Sequence, residues 1–319
     1  MDRVTLMSMQ AGARAEWDHL RHVMVHEPGI EVFFALLSPA SHLYERFFNR
    51  TEAEREHKNL SDLLKNTFHV RVDYLSDVIL EAAESDPQMH QALVLLAQER
   101  LKRICSVKAE RLPPRLRTDL LSPVSLEERD AEHLLEIVIL DPLLSISPSR
   151  VEVRLQHTLH NLYFMRDQQA ATDRGMVLSR MATPERAGEV ALSRLALQAL
   201  DLPIACQVEH GTFEGGDFMP AGEFALIGCG PRTSRQGVED LLACGLSYDE
   251  VAVVYEPRHP LIGGWDPMVA MHLDTYFNLA SPGIAVGSPL LLSKANVEVY
   301  RRDDESYRLE RSGISLQEY

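Results

Sequence analysis

Cysteine is scarce in this chain: four in 319 residues, at Cys105, Cys206, Cys229 and Cys244. None is spaced Cys-x-x-Cys, so the set reads as neither a disulfide framework nor a zinc site. No run of ~18 residues is both uncharged and predominantly apolar, as a membrane-spanning helix requires. The most apolar stretch, Leu134–Leu144, is interrupted by Glu136 and Asp141. Met1-Asp2-Arg3 leads into no apolar signal segment. Basic residues are outnumbered, 32 Lys and Arg against 47 Asp and Glu, for a formal charge of −15. That balance argues against nucleic acid or an anionic membrane as partner and leaves a small cationic substrate open. These absences read as a soluble cytoplasmic protein.

What is present is ordinary globular chain, with 45% apolar and 25% charged residues. At ~150 residues per domain the length suggests about two domains. A strand at Leu20–Gly29 stops at Pro28-Gly29. Thr51-Glu-Ala-Glu54 reads as a capping box, and Leu60, Leu63, Leu64 and Phe68 follow on one helical face. Residues 1–79 are therefore read as a first strand-and-helix unit, and 80–148 as an all-helical insertion. The insertion opens at Asp86-Pro87 and has further helical stretches at Leu116–Leu121 and Ser125–Glu128. From 149 to 319 the strand-then-helix rhythm returns. Strands are expected at Met176–Ser179, Phe224–Gly228, Val251–Val254, Gly283–Val286 and Glu298–Tyr300. Helix starts are expected at Thr183-Pro184-Glu185 and Thr233–Gln236. The spacing of Asp167 and Arg186 resembles that of Glu214 and Arg232, which suggests a repeat of roughly 50 residues that stacks or closes radially. Ser315-Leu-Gln-Glu318 announces one more helix, so the chain reads as cut at a unit boundary.

Polar clusters interrupt these apolar contexts. Asn161 and Asp167 flank an aromatic pair, and Glu214 and Asp217 flank two glycines. On a strand, His272 and Asp274 would share a face. Two carboxylates facing a guanidinium hold it through paired, charge-assisted hydrogen bonds. Asp167 and Asp274 suit that task, while Asn161, Arg186 and Arg232 suit an α-carboxylate. His272 with Glu214 supplies a general acid/base and its orienting acid. The set fits arginine. His157, His160, Glu214, His272 and Asp274 could ligate a metal, but His-x-x-His here lacks the intervening glutamate and a helical context. No metal and no cofactor are expected.

Asn161…Phe164-Met-Arg-Asp167, Glu214-Gly-Gly-Asp217, Gly230-Pro-Arg232-Thr-Ser-Arg and His272-Leu-Asp-Thr275 resemble arginine deiminase, of the guanidino-modifying pentein superfamily. The likeness spans essentially the whole chain. It implies a five-bladed α/β propeller, with the last blade incomplete here, and hydrolysis of L-arginine to L-citrulline and ammonia. By the resemblance, Asp167 and Asp274 bind the guanidinium, His272 is the acid/base and Glu214 orients it. Asn161, Arg186 and Arg232 would bind the amino-acid end. A cysteine thiolate is the family's nucleophile, and it lies near the carboxyl terminus. Here the 45 residues after Asp274 contain no cysteine. Cys206 and Cys229 read as packed small hydrophobes. The expected partners are L-arginine and either a second copy or a separate C-terminal fragment that brings the thiol. The alternatives are a non-catalytic arginine-binding remnant and another pentein activity such as amidinotransfer. Met165 stands where the family has threonine.

Overall fold

The computed structural model describes residues 12–108, 111–114, 117, 125–147, 150–258, 270–304 and 306–319. They fall into two compact units, one comprising Arg21–Tyr163 with Pro184–Ala199, the other the stretch ending at Leu20 with Phe164–Thr183 and Leu200–Tyr319. Both mix helices with sheets. Among the described residues no helix is long and apolar enough to cross a membrane.

In the first unit β1 (His22–Val25) pairs in parallel with β2 (Arg71–Tyr74). Between them lie α1 (Ile30–Ala35) and α2 (Arg50–Asn66). The cap of α2 is Asn49, whose side chain accepts from Glu52 N–H, and not Thr51. Its apolar stripe is not core: Leu60 and Leu63 are half exposed, and Phe68 just beyond the helix is 57% exposed. Helices α3 (Leu75–Ser85), α4 (Pro87–Arg100), α5 (Ala131–Leu140) and α6 (Glu189–Ala199) bury Ile79, Leu93, Val94, Leu134 and Leu195. Asp86 caps α4 through Gln88 N–H, as its sequence position predicts.

The all-helical reading of 80–148 needs correction. β3 (Lys102–Cys105), β4 (Pro142–Ile146) and β5 (Val151–Leu155) form a three-stranded sheet, so the region is mixed. Leu101 continues the i+4 apolar rhythm, yet it is the C-cap of α4 in extended conformation. Periodicity counted through it carried the helix one strand too far. The expected start at Ser125–Glu128 is turn, and Asp130 caps α5 instead. Leu116–Leu121 falls, apart from Arg117, outside the described residues.

The second unit holds β6 (Gln169–Thr172), β7 (Gly175–Leu178) and β8 (Ile204–Gln207) in one sheet. A five-stranded sheet is built from β9 (Phe218–Ala221), β10 (Phe224–Cys229), β11 (Glu250–Tyr255), β14 (Asn296–Asp303) and β15 (Ser306–Ser315). Its order is β15-β14-β11-β10-β9, parallel only between β10 and β11. Between them in sequence come the hairpin β12 (Phe277–Ser281) and β13 (Ile284–Gly287), and helices α7 (Arg235–Ala243) and α8 (Pro289–Leu292).

The central strands are apolar on both sides, as doubly covered strands must be. Ala225, Ile227, Val251 and Val253 face one core cluster with Val238 and Leu241 of α7. Leu226, Ala252 and Val254 face the other, with Leu273 and Leu291. Leu273 is thus the apolar anchor that fastens the His272 segment to the sheet. Ser234, one residue later than expected, caps α7. The capping box at Ser315–Glu318 forms, with Glu318 Oε2 accepting from Ser315 N–H at 2.8 Å, but Leu316–Glu318 make a turn and not the expected helix.

One cysteine expectation is overturned. Cys206 on β8 and Cys244 at the C-cap of α7 are joined in a disulfide, Cα–Cα 5.9 Å. The pair is 38 residues apart, so no local spacing announced it. Cys206 and Cys229 do pack against the core, as expected of small hydrophobes.

Candidate active site

His272 sits not on a strand but at the head of a single 3₁₀ turn, Leu273–Thr275, which corrects the strand reading. The turn closes because the Thr275 N–H and hydroxyl both return to the His272 carbonyl. Leu273 N–H donates to Asp217 Oδ1 at 2.9 Å. One turn therefore carries both His272 and Asp274.

Opposite it lies the Glu214-Gly-Gly-Asp217 segment, itself a 3₁₀ turn over Gly215–Asp217. Gly215 N–H donates to the Asp167 carbonyl, tying that segment to the Asp167 loop. A side chain at Gly216 would put its Cβ 2.7 Å from His272 Nδ1 and 3.0 Å from Asp167 Oδ1. Only glycine lets the backbone pass so close. The imidazole is gripped from both ends: Nε2 donates to Glu214 Oε2 at 2.8 Å, and Nδ1 lies 3.6 Å from Asp167 Oδ1. The other Glu214 oxygen accepts from Ala182 N–H at 2.9 Å and lies 3.7 Å from Arg232 Nη1. His272, Glu214, Asp167 and Arg232 are all buried.

Burial alone would lower the imidazole pKa. The hydrogen bond to Glu214 and the charges of Asp167 and Asp217 outweigh it and lift His272 to about 9. Asp274 is shifted upward as well, which for a carboxylate favours the neutral form. Burial raises it to about 6, against the pull of Arg166 and His272. Asp167, Glu214 and His272 bring one ligand atom each within 4.8 Å of one another, a set that could in principle hold a cation. The imidazole has a carboxylate at each ring nitrogen, an arrangement suited to holding and passing a proton.

The second unit thus assembles Asp167, Glu214, Arg232, His272 and Asp274. Asn161 and Arg186 lie in the first unit, where Arg186 Nε and Nη2 donate to Glu189 at 2.8 to 3.1 Å. Asn161 Nδ2 donates to the His42 carbonyl at 3.3 Å. His160 Nδ1, weighed as a metal ligand, faces the Glu31 carbonyl instead. Two residues had no assigned role in the sequence reading. Arg166 holds Glu16 and reaches Asp274 Oδ2 at 3.1 Å. Asp217 is the acceptor that pins the His272 turn. The signal for Asp217 was its place in the Gly-Gly motif; nothing local pointed Arg166 toward Asp274.

All four cysteines are described, and none is paired with His272. Cys105 is exposed in the first unit, and Cys206 and Cys244 are bonded to each other. Burial pushes the Cys229 thiol up to about 11, the opposite of an activated nucleophile.

Residues 41–312 match the family model for arginine deiminase. The chain belongs to the arginine deiminase family. Members of that family are hydrolases of amidine C–N bonds. Among its relatives, the arginine deiminase of Halobacterium salinarum is 27% identical, over 98% of this chain and 77% of that protein. The arginine deiminase of Oenococcus oeni is 26% identical, over 88% of this chain and 68% of the other. A solved amidinotransferase from Microseira wollei is a looser likeness: 14% identity, TM-score 0.48, over 88% of this chain and 70% of that one.

Proposed function

We propose that this chain binds L-arginine by its guanidinium between Asp167 and Asp274 and runs the acid/base half of its hydrolysis to L-citrulline and ammonia. The observation that carries the reading is His272 clamped by Glu214 within a nest of further acids, which favour its protonated form. A thiolate attacks the guanidinium carbon, and the C–N bond to a terminal nitrogen breaks as His272 gives that nitrogen its proton. The neutral imidazole then takes a proton from water, whose oxygen attacks the thiouronium carbon. The C–S bond breaks, citrulline leaves and the thiolate is restored. Arg232 is the one predicted carboxylate ligand in the same unit as the acid/base, and the proposal uses it alone for the substrate's carboxylate.

The nucleophile in this reading is a thiol that none of the four cysteines supplies, brought by a further cysteine-bearing fragment. The five-bladed propeller implied by the sequence resemblance is part of the same proposal. A second reading, an arginine binder without turnover, is favoured by the lack of any thiol beside His272. Calorimetry with arginine and a citrulline assay separate the cases. The expected result is arginine binding by the chain, abolished in Asp274→Ala, with citrulline formed only when the cysteine-bearing fragment is added. Turnover by the chain alone would refute the account of the nucleophile. Failure to bind arginine would refute the substrate.

A further inference from the structure

The Asp217 carboxylate is fully buried, and its two oxygens are engaged by Leu273 N–H and by the Thr233 hydroxyl, the latter at 2.6 Å. Thr233 Oγ1 in turn accepts from Glu214 N–H at 3.3 Å. Asp217 therefore ties together the backbone carrying Glu214 and the turn carrying His272 and Asp274. A second carboxyl lies beside it. At the end of β10, a Cβ on Gly228 would fall 2.2 Å from Asp217 Oδ1, and one on Gly230 would fall 2.4 Å from Glu256 Oε2. Two glycines, two residues apart, thus make room for two neighbouring acids. Glu256 is held there by its own N–H, which donates to the Cys229 carbonyl at 3.0 Å.

Both Glu256 oxygens are buried, and among the described residues no N–H or O–H of another kind of group donates to either. The group they interact with most is the Asp217 carboxyl, with the Arg232 guanidinium and the Asp274 carboxyl acting more weakly. Two buried carboxylates in contact repel strongly, and a proton between them turns that repulsion into a hydrogen bond. Asp217 already accepts from two donors, so the proton resides on Glu256. Burial and the Asp217 charge lift Glu256 to about 11, in keeping with that placement.

We propose that Glu256 is a positioning residue: a neutral carboxylic acid that donates to Asp217 and thereby fixes the turn presenting His272 and Asp274. It touches no substrate. The role deepens the arginine reading but does not depend on it, because its main signature is read without ligand.

The test compares Glu256→Gln, which keeps a neutral donor, with Glu256→Met, which keeps bulk and loses the donor. Infrared spectra of the ligand-free protein at neutral pH should show the carbonyl stretch of a buried protonated acid, absent in Glu256→Gln. The His272 imidazole, followed by NMR, should titrate in Glu256→Gln as in the parent, since no charge has been removed. In Glu256→Met the titration should shift, and arginine affinity should fall about tenfold, the loss of one buried hydrogen bond. Absence of the band, its survival in Glu256→Gln, or a drop in the His272 pKa of that variant would each overturn the neutral-acid assignment. Parent-like titration and affinity in a folded Glu256→Met would overturn the positioning role. Should Glu256→Met fail to fold, the glutamine variant decides alone. Failure of the parent to bind arginine would remove the substrate reading and leave the infrared and NMR results standing.

Discussion

In the unit that contains Arg186, buried or half-buried charges are matched to partners: Arg186 with Glu189 and Arg100 with Asp141. In the unit that contains His272, acids are in excess. Asp167, Glu214, Asp217 and Asp274 crowd around His272 and Arg232, while Arg166 divides itself between Glu16 and Asp274. A matched pair is a structural fixture, complete before any ligand arrives. A buried excess of one sign persists only where the fold over-determines it, and it is relieved by a ligand of the other sign. The contrast supports the proposal that the chemistry lies in the second unit, without reference to any motif.

Breaking a matched pair should cost the most. Glu189→Ala strands the Arg186 guanidinium in the interior and should lower stability by about 3–5 kcal/mol in urea denaturation. The His272 titration should not move. Asp274→Asn removes a charge from the acid-rich unit and should do the reverse, weakening arginine binding by about 1.5–3 kcal/mol with little loss of stability. Calorimetry and denaturation together test it, and a stability loss larger than the binding loss would erase the distinction between the units. Gly216→Ala pushes a methyl into His272 and Asp167, an overpacking cost of about 1–3 kcal/mol that arginine calorimetry should register as weakened binding.

The smallest effects per unit change come from pH, and their signs differ in origin. The folded-state pKa of His272 is raised to about 9, above the ordinary ~6.5 of an unfolded histidine. Its contribution to stability is therefore complete below ~6.5 and disappears as pH rises through about 9, by at most ~1.4 kcal/mol per pH unit. Asp274 is raised to about 6, so its grip on a guanidinium should weaken as pH falls through about 6, when it takes up a proton. Stability curves and arginine titrations across pH 5 to 10, flanking both values, would reveal either sign reversed.

Much of this was legible in the sequence because it is local. Alternating or continuous apolar runs marked β7, β10, β11 and β14, and Asp86-Pro87 marked the start of α4. His272, Glu214, Asp167 and Asp274 could be grouped because each stands in a short polar motif set in apolar chain. What escaped was set by tertiary contact. Cys206 meets Cys244 across 38 residues, and Arg166 reaches Asp274 only after folding. Leu101 fits a helical rhythm, but the chain turns extended there to feed β3, because pairing with β4 wins over local periodicity. The His272 segment alternates like a strand, yet Asp217 captures its Leu273 N–H and winds it into a turn. Caps were misplaced by one or two residues at Thr51 and Thr233, where several side chains able to accept compete.

In the proposed reading acid/base and guanidinium grip share one short turn, so a displacement of that turn alters recognition and proton delivery in the same stroke. Evolution or engineering cannot retune the one here while sparing the other, except by changing the side chains themselves. Selectivity toward other guanidines would be sought more profitably around Arg232, which hangs from a different strand end and can be altered independently.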